Sequence, residues 1–279
     1  MSRLDRIDDR ILFIGAGNMA RALVSGGCGS KVIEPTQVAG VDPNPDQGAH
    51  FDTFFINATD GMRWLGESKA GQVMVLAVKP QMLGEAAEPV RKAMEELGTH
   101  PLVISILAGI HAQRIHDELG GLARVVRVMP NTPAAISMGM NAIARGPGAT
   151  DADMQLAMTL LGSVGETMVI DESLMDAFTG LAGSGPAYVF YLAEAMTKAA
   201  IEMGFTNEQA RLIVAQTIAG SGMLLRQSPE SAQDLRAMVT SKGGTTAAGT
   251  NALDEGAAMA TIFGAVLAAR DRGVELGRG

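Results

Sequence analysis

ILFIGAGNMA, residues 11–20, sets an apolar run directly against a glycine-bearing turn. Ile11 to Ile14 are apolar at every position, as expected of a strand covered by helices on both faces. GAGNMA follows, and RALVSGG after it reads as the start of a helix. Strand, glycine turn and helix in that order form the first unit of a dinucleotide-binding fold. Within the turn, Gly15 permits the tight bend and Gly17 lets backbone approach a pyrophosphate, which then sits at the positive N-terminus of the next helix. Ala20 takes the third-glycine position.

Working outward, further apolar runs occur at 37–41 (QVAGV), 52–56 (DTFFI), 72–78 (QVMVLAV), 101–107 (PLVISIL) and 123–129 (ARVVRVM). Several are separated by helical patterns, clearest in PQMLGEAAEPVRKAMEEL. This alternation predicts a parallel sheet between helical layers. GMNAIARG (139–146) is expected as an edge strand and 151–165 as one more helix. From Asp171 the alternation stops and helical patterns fill the chain. Thr206 with Gln209 reads as a capping box, and Ser228 before Pro229 as a cap followed by a proline at the first helical position. The expected architecture is an α/β Rossmann-type doubly wound sheet over 1–166, followed by an all-α domain over 167–279.

Composition bounds the function. The 279 residues exceed the roughly 100–150 of a typical single core, in keeping with two domains. A net charge of −8, with no run of Lys or Arg, argues against nucleic acid or an anionic membrane as the main partner and toward a small molecule. The single cysteine, Cys28, has no internal disulfide partner, and MSRLDRIDDR lacks an apolar signal region, so the expected setting is the cytoplasm. GAAMATIFGAVLAA (256–269) is shorter than the roughly 20 residues a bilayer requires and reads as a buried helix. The C-terminal helices are apolar around much of their circumference, which predicts a homo-oligomer. His50, His100, His111 and His116 lack metal-ligand spacing, so surface or packing roles are expected and no metal site.

The second apolar run ends at Val41-Asp42-Pro43, where the adenosine ribose should lie. A carboxylate there accepts from ribose hydroxyls and opposes a 2′-phosphate. With no Arg or Lys between Asp42 and Arg63, the reading favours NADH over NADPH. The alternative is that Asp42 simply opens the turn DPNPD.

Two more loops fall at carboxyl ends of strands, AVKPQ (77–81) and RVMPNTPA (127–134). Later come LAGSGPAY (181–188) and TSKGGTTAAGT (240–250). The latter has little to bury and many glycines and hydroxyls, which suits a nest of N–H and O–H donors for a small anion.

Together with GAGNMA, these motifs in this order resemble the pyrroline-5-carboxylate reductase family along essentially the whole chain. The resemblance implies reduction of a cyclic C=N bond by NADH or NADPH, the last step of proline synthesis. It also implies a helical domain that pairs with a second subunit, and an active site where the two domains meet. Carried onto this sequence, it places Gly15, Ala16, Gly17, Asn18 and Met19 against the cofactor diphosphate and Asp42 at the ribose. Ala77 and Lys79 border the dinucleotide, and Asn131, Thr132 and Pro133 lie beside the nicotinamide. Ser241, Gly243, Gly244, Thr245 and Thr246 form the substrate loop, with the Thr246 hydroxyl on the ring nitrogen. Lys242 stands where the family usually has proline, and Ala182 where serine is commoner.

Plainer readings stand beside these. Lys79 also fits a solvated strand-end lysine, and AGSGP a place where helices approach closely around Pro186. Two rival functions remain at this point. One is a two-domain imine or hydroxyacid oxidoreductase; a hydroxyacid enzyme would need a general-base lysine in the helical half, where the surroundings of Lys198 do not match. The other is a non-catalytic nucleotide-binding sensor, which would need no GGTT loop.

Overall fold

A computed structural model describes residues 5–277. The chain forms β1 (Arg10–Ile14), α1 (Asn18–Gly29), β2 (Val38–Val41), β3 (Thr53–Phe55), α2 (Ala58–Gly66), β4 (Gln72–Leu76) and α3 (Leu83–Leu97). There follow β5 (Leu102–Ser105), α4 (Ala112–Glu118), β6 (Arg124–Met129), β7 (Gly139–Arg145), α5 (Asp151–Gly162) and β8 (Gly165–Val169). The eight strands make one sheet in the order β3-β2-β1-β4-β5-β6-β7-β8. Every pairing is parallel except β6 with β7.

The continuous apolar runs exist because both faces of the sheet are covered. Ile11 and Phe13 of β1, with Val73 and Val75 of β4, point into one core built with α1 and α5. Leu12 and Ile14, with Met74 and Leu76, point into a second core closed by α2, α3 and α4. Alternate residues of each strand thus feed opposite cores, as the two-residue repeat of a strand requires. Antiparallel β7 does not form the edge expected of 139–146: it is paired on both sides, and β8 closes the sheet. The helix expected over 151–165 ends at Gly162, and the chain turns through Ser163 and Val164 into β8.

Two compact units result. One runs to Gly183 and takes back the residues from Ala269 onward, and the other is Ser184–Ala268. A boundary at 166 would cut β8, which is registered against β7 from Gly139↔Gly165 onward. The first unit continues through α6 (Met175–Phe178) because Arg127 on β6, only 2% exposed, holds Glu172 at 3.2 Å and Asp176 at 3.3 Å. A π-helical segment follows at Thr179–Gly183.

The second unit is helical, with α7 (Gly185–Glu202) packed on α8 (Asn207–Gln227), then α9 (Ala232–Met238), α10 (Thr245–Glu255) and the start of α11 (Ala258–Gly277). The expected capping box opens α8: Gln209 N donates to Thr206 Oγ1 at 3.2 Å, and Thr206 N donates to Gln209 Oε1 at 3.0 Å. Ser228 instead closes α8, and the cap of α9 is Ser231, which accepts from Asp234 N at 3.1 Å. Ser228 and Pro229 therefore belong to the link between helices.

Among the described residues of this unit, only Ala200, Ala210 and Val214 are buried. Phe190 on α7 and Phe263 on α11 are 66% and 67% exposed. The stretch 256–269, expected to be buried, thus presents its apolar side chains outward. Helices this apolar with so little core of their own are built to be covered by another surface. No single helix among the described residues is long and apolar enough to cross a membrane.

Candidate active site

The strand order reverses at β1, whose successor β2 lies on one side while β4 lies on the other. Open α/β sheets bind ligands in the crevice at the carboxyl ends of strands flanking such a point. A cleft of about 700 Å³ opens there, lined by Gly15, Gly17, Asn18, Asp42, Ala77 and Lys79 among others. Six of the expected cofactor residues, drawn from three separate loops, are thereby brought together.

The two glycines of the turn do different jobs. Gly15 has φ +98°, and a Cβ there would lie 2.6 Å from the carbonyl oxygen of Ala77. The backbone is fixed on either side, since Gly15 N donates to Val41 O and Ala77 N donates to Ile14 O, both at 2.8 Å. Gly15 therefore answers to the protein's own packing. Gly17, at φ −72°, is in an ordinary conformation, and a Cβ there would meet nothing within 4 Å. The space it leaves belongs to the cleft. Gly17 is also the N-cap of α1 and no side chain caps the helix, so first-turn N–H groups remain to meet an anion. An open face at Gly17 beside an uncapped helix N-terminus fits a dinucleotide diphosphate.

The neighbours of the turn are structural. Ala16 is fully buried, and its N–H donates to Asp42 Oδ2 at 3.1 Å. The other carboxylate oxygen of Asp42 accepts from Asn44 N at 3.0 Å. Asp42 therefore clamps the glycine turn to the end of β2 besides facing the cleft. Met19 turns its side chain to the core, leaving only its backbone at the helix start. Lys79 is exposed at the cleft and makes no ion pair among the described residues.

Arg21 is not evident from the sequence. No cation lies between Asp42 and Arg63, but α1 carries this one into the same cleft. Arg21 lies three residues after Asn18, on the same helical face, and that spacing was the available signal. His50, exposed as expected, lies beside it with its Nε2 3.3 Å from the guanidinium.

Asn131, Thr132 and Pro133 follow β6 at the same edge of the sheet but do not line the cleft. Their turn packs against α1. Asn131 is 9% exposed; its Oδ1 accepts from Met140 N at 2.9 Å and its Nδ2 donates to Ala182 O at 3.0 Å. Its side chain braces the turn between β7 and the π-helical segment, leaving Thr132 exposed at the apex. The AGSGP stretch thus has a structural part, centred on the Ala182 carbonyl as well as on Pro186, which sits in the first turn of α7.

In the helical unit, Ser241–Gly244 forms a turn closed by Gly244 N donating to Ser241 O at 3.0 Å, with Gly243 at φ +70°. α10 starts at Thr245 without a side-chain cap, so TTAAGT is helical although the stretch reads poorly as helix. Ser241, Thr245 and Thr246 are exposed, and their hydroxyls make no hydrogen bond to other described residues. The turn gathers unspent backbone and hydroxyl donors at a helix N-terminus. No group of His, Cys, Asp and Glu among the described residues is placed to hold a metal ion.

The sheet, its switch-point cleft and the glycine turn define a dinucleotide-binding protein of the Rossmann class. Residues 10–109 match the model described as NADP oxidoreductase, coenzyme F420-dependent, and residues 172–276 match pyrroline-5-carboxylate reductase dimerisation. The chain is 35% identical to pyrroline-5-carboxylate reductase of Arabidopsis thaliana over 268 residues, covering 96% of this chain and 95% of that protein. Pyrroline-5-carboxylate reductase of Coxiella burnetii superposes with a TM-score of 0.83 at 32% identity, covering 97% of this chain and 99% of the other. Pyrroline carboxylate reductase of Plasmodium falciparum, solved with NADP bound, gives a TM-score of 0.86 at 26% identity over 98% and 99% of the two chains. The chain belongs to the pyrroline-5-carboxylate reductase family of NAD(P)H-dependent oxidoreductases. Its exposed apolar helices are those of a dimerisation domain.

Proposed function

We propose that this chain reduces the C=N bond of 1-pyrroline-5-carboxylate to give L-proline, acting as a homodimer or higher homo-oligomer. Two features of one family member carry the reading. The first unit has a dinucleotide cleft with an open face at Gly17, and the second has an exposed turn of unspent donors at 241–246. The substrate is a small ring bearing one carboxylate, so it asks for a compact donor set.

Gly17, Asn18 and Met19 hold the diphosphate through N–H groups at the start of α1, on a turn whose shape Gly15 and Ala16 fix through their own backbone bonds. Asp42, Ala77 and Lys79 border the adenosine and diphosphate portions, and Thr132 and Pro133, braced by Asn131, support the nicotinamide. A bound reduced nicotinamide supplies a hydride equivalent to the imine carbon, the step the cofactor itself makes possible. Ser241, Gly243, Gly244 and Thr245 grip the carboxylate. Thr246 donates its hydroxyl toward the ring nitrogen and orients the imine; a threonine hydroxyl is too weak an acid to serve as the proton source on its own. Lys242, in place of the usual proline, adds a cation beside this donor set.

Asp42 puts a carboxylate at the ribose end, a feature that favours NADH, while Arg21 works in the opposite direction. Replacing Thr246 by valine tests the substrate turn. The expected result is a fall of about 10- to 100-fold in kcat/KM for pyrroline-5-carboxylate, with dinucleotide affinity unchanged. Wild-type turnover by Thr246→Val would remove that hydroxyl from the mechanism.

A further inference from the structure

Arg21 stands in the cleft beyond the carboxyl end of β2, together with Asn44 and Gln47. Its guanidinium donates to Asn18 Oδ1 at 2.8 Å and to Gln47 Oε1 at 3.4 Å, and approaches His50 Nε2 at 3.3 Å. A guanidinium N–H can only donate, so His50 presents its ring lone pair there. None of the three partners is a carboxylate. Arg124, Arg127 and Arg145 each hold a carboxylate, whereas Arg21 pairs with none among the described residues. Its Nε is shielded from solvent and lacks a hydrogen-bond partner. Three side chains, none of them a carboxylate, thus hold a full positive charge at the ribose end of a nucleotide cleft, with no carboxylate at ion-pair distance among the described residues.

The one carboxylate expected to repel a second phosphate is Asp42, and each of its oxygens already accepts a backbone N–H, from Ala16 and from Asn44. Those two dipoles offset part of its charge. We infer that Arg21 is the specificity-determining residue of the adenosine end, receiving a 2′-phosphomonoester so that the cleft takes NADPH in preference to NADH. The inference rests on the oxidoreductase reading and deepens it. Its chemistry is a fork of guanidinium donors on a phosphate, among the stronger of protein hydrogen bonds.

Calorimetric titration of the purified protein with NADPH and with NADH, in parallel for wild type and Arg21→Gln, tests this without turnover. Wild type is expected to bind NADPH about 10-fold or more tightly than NADH. Arg21→Gln should lose about 10- to 100-fold for NADPH and less than about threefold for NADH. Adenosine 2′,5′-bisphosphate should displace bound NADPH far better than 5′-AMP. Inorganic phosphate at the same concentration should not displace it, which separates a nucleotide phosphate from a free one. Equal wild-type affinity for the two dinucleotides, or equal weakening of both by Arg21→Gln, would overturn the inference while leaving the oxidoreductase reading intact. Should Arg21→Gln fail to fold, the wild-type comparison of the bisphosphate with 5′-AMP decides alone, and equal displacement overturns the assignment. Failure of wild type to bind either dinucleotide would instead remove the reading on which the inference rests.

Discussion

Alanine at Gly15 and alanine at Gly17 should have opposite consequences, although the two glycines lie two residues apart in one turn. At Gly15 the new Cβ falls 2.6 Å from Ala77 O and 2.7 Å from Ala77 C, in a backbone with φ +98°. The left-handed conformation costs a non-glycine residue about 1–2 kcal/mol, and overpacking against fixed backbone adds about 1–3 kcal/mol. Gly15→Ala should therefore lose about 2–5 kcal/mol of stability. At Gly17 the same atom meets no protein within 4 Å, and φ −72° suits alanine. A compatible Gly→Ala change is neutral or stabilising by about 0.4–1 kcal/mol through the unfolded chain. Its Cβ enters the space assigned to the diphosphate, so dinucleotide affinity should fall by about 10-fold or more. Chemical denaturation followed by tryptophan fluorescence reads the effect on the correct unit, because the sole tryptophan, Trp64, lies on α2 with Arg10 stacked 4.7 Å from its ring. Calorimetry reads the affinity. A Gly17→Ala protein with lowered stability and intact binding would refute the division of labour within this turn.

Asn131→Ala leaves Met140 N and Ala182 O without their partner and should cost about 1–3 kcal/mol, with kcat falling more than adenosine-end affinity; 5′-AMP binding measured beside turnover checks the split. Asp153 carries a pH dependence. Burial pushes its carboxyl up, but hydrogen bonds from Arg124 and Thr150 outweigh that and hold it below the ordinary aspartate range. The stability it contributes is present above that range and lost as pH falls through the lowered value. Asp153→Asn should therefore be about 1–3 kcal/mol less stable than wild type at neutral pH, and the gap should close at strongly acidic pH; denaturation across a pH series shows whether it does. Phe190→Asp and Phe263→Asp place a charge on helix faces 66% and 67% exposed in one chain, and should shift light-scattering mass toward the 29.0 kDa monomer. Retention of the wild-type mass by both would move the interface elsewhere.

The sheet was legible because it is covered on both faces, so Ile11–Ile14 and Val73–Leu76 carry unbroken apolar runs that only a buried parallel strand needs. β8 was not, since GETMV lies half exposed at the sheet edge and its residues follow a helix without an apolar run to announce them. Gly15 and Gly17 were recognisable as a pair, but only packing separates their roles. Asp42 reads as a ribose ligand in sequence, and its bond to Ala16 N appears only once β1 and β2 are adjacent. Arg21 stayed hidden because its partners Gln47 and His50 lie 26 and 29 residues away. Likewise, 256–269 was recognisably a helix, but whether its apolar face is buried by the same chain is a property of tertiary and quaternary packing.

The most direct measurement is transfer of label from reduced nicotinamide deuterated on one C4 face, incubated with the protein and pyrroline-5-carboxylate. L-proline should form with one deuterium on the ring carbon that was doubly bonded to nitrogen, arising from one of the two C4 faces and not the other. Absence of proline, or proline without label from either face, would contradict hydride reduction of the imine by this chain.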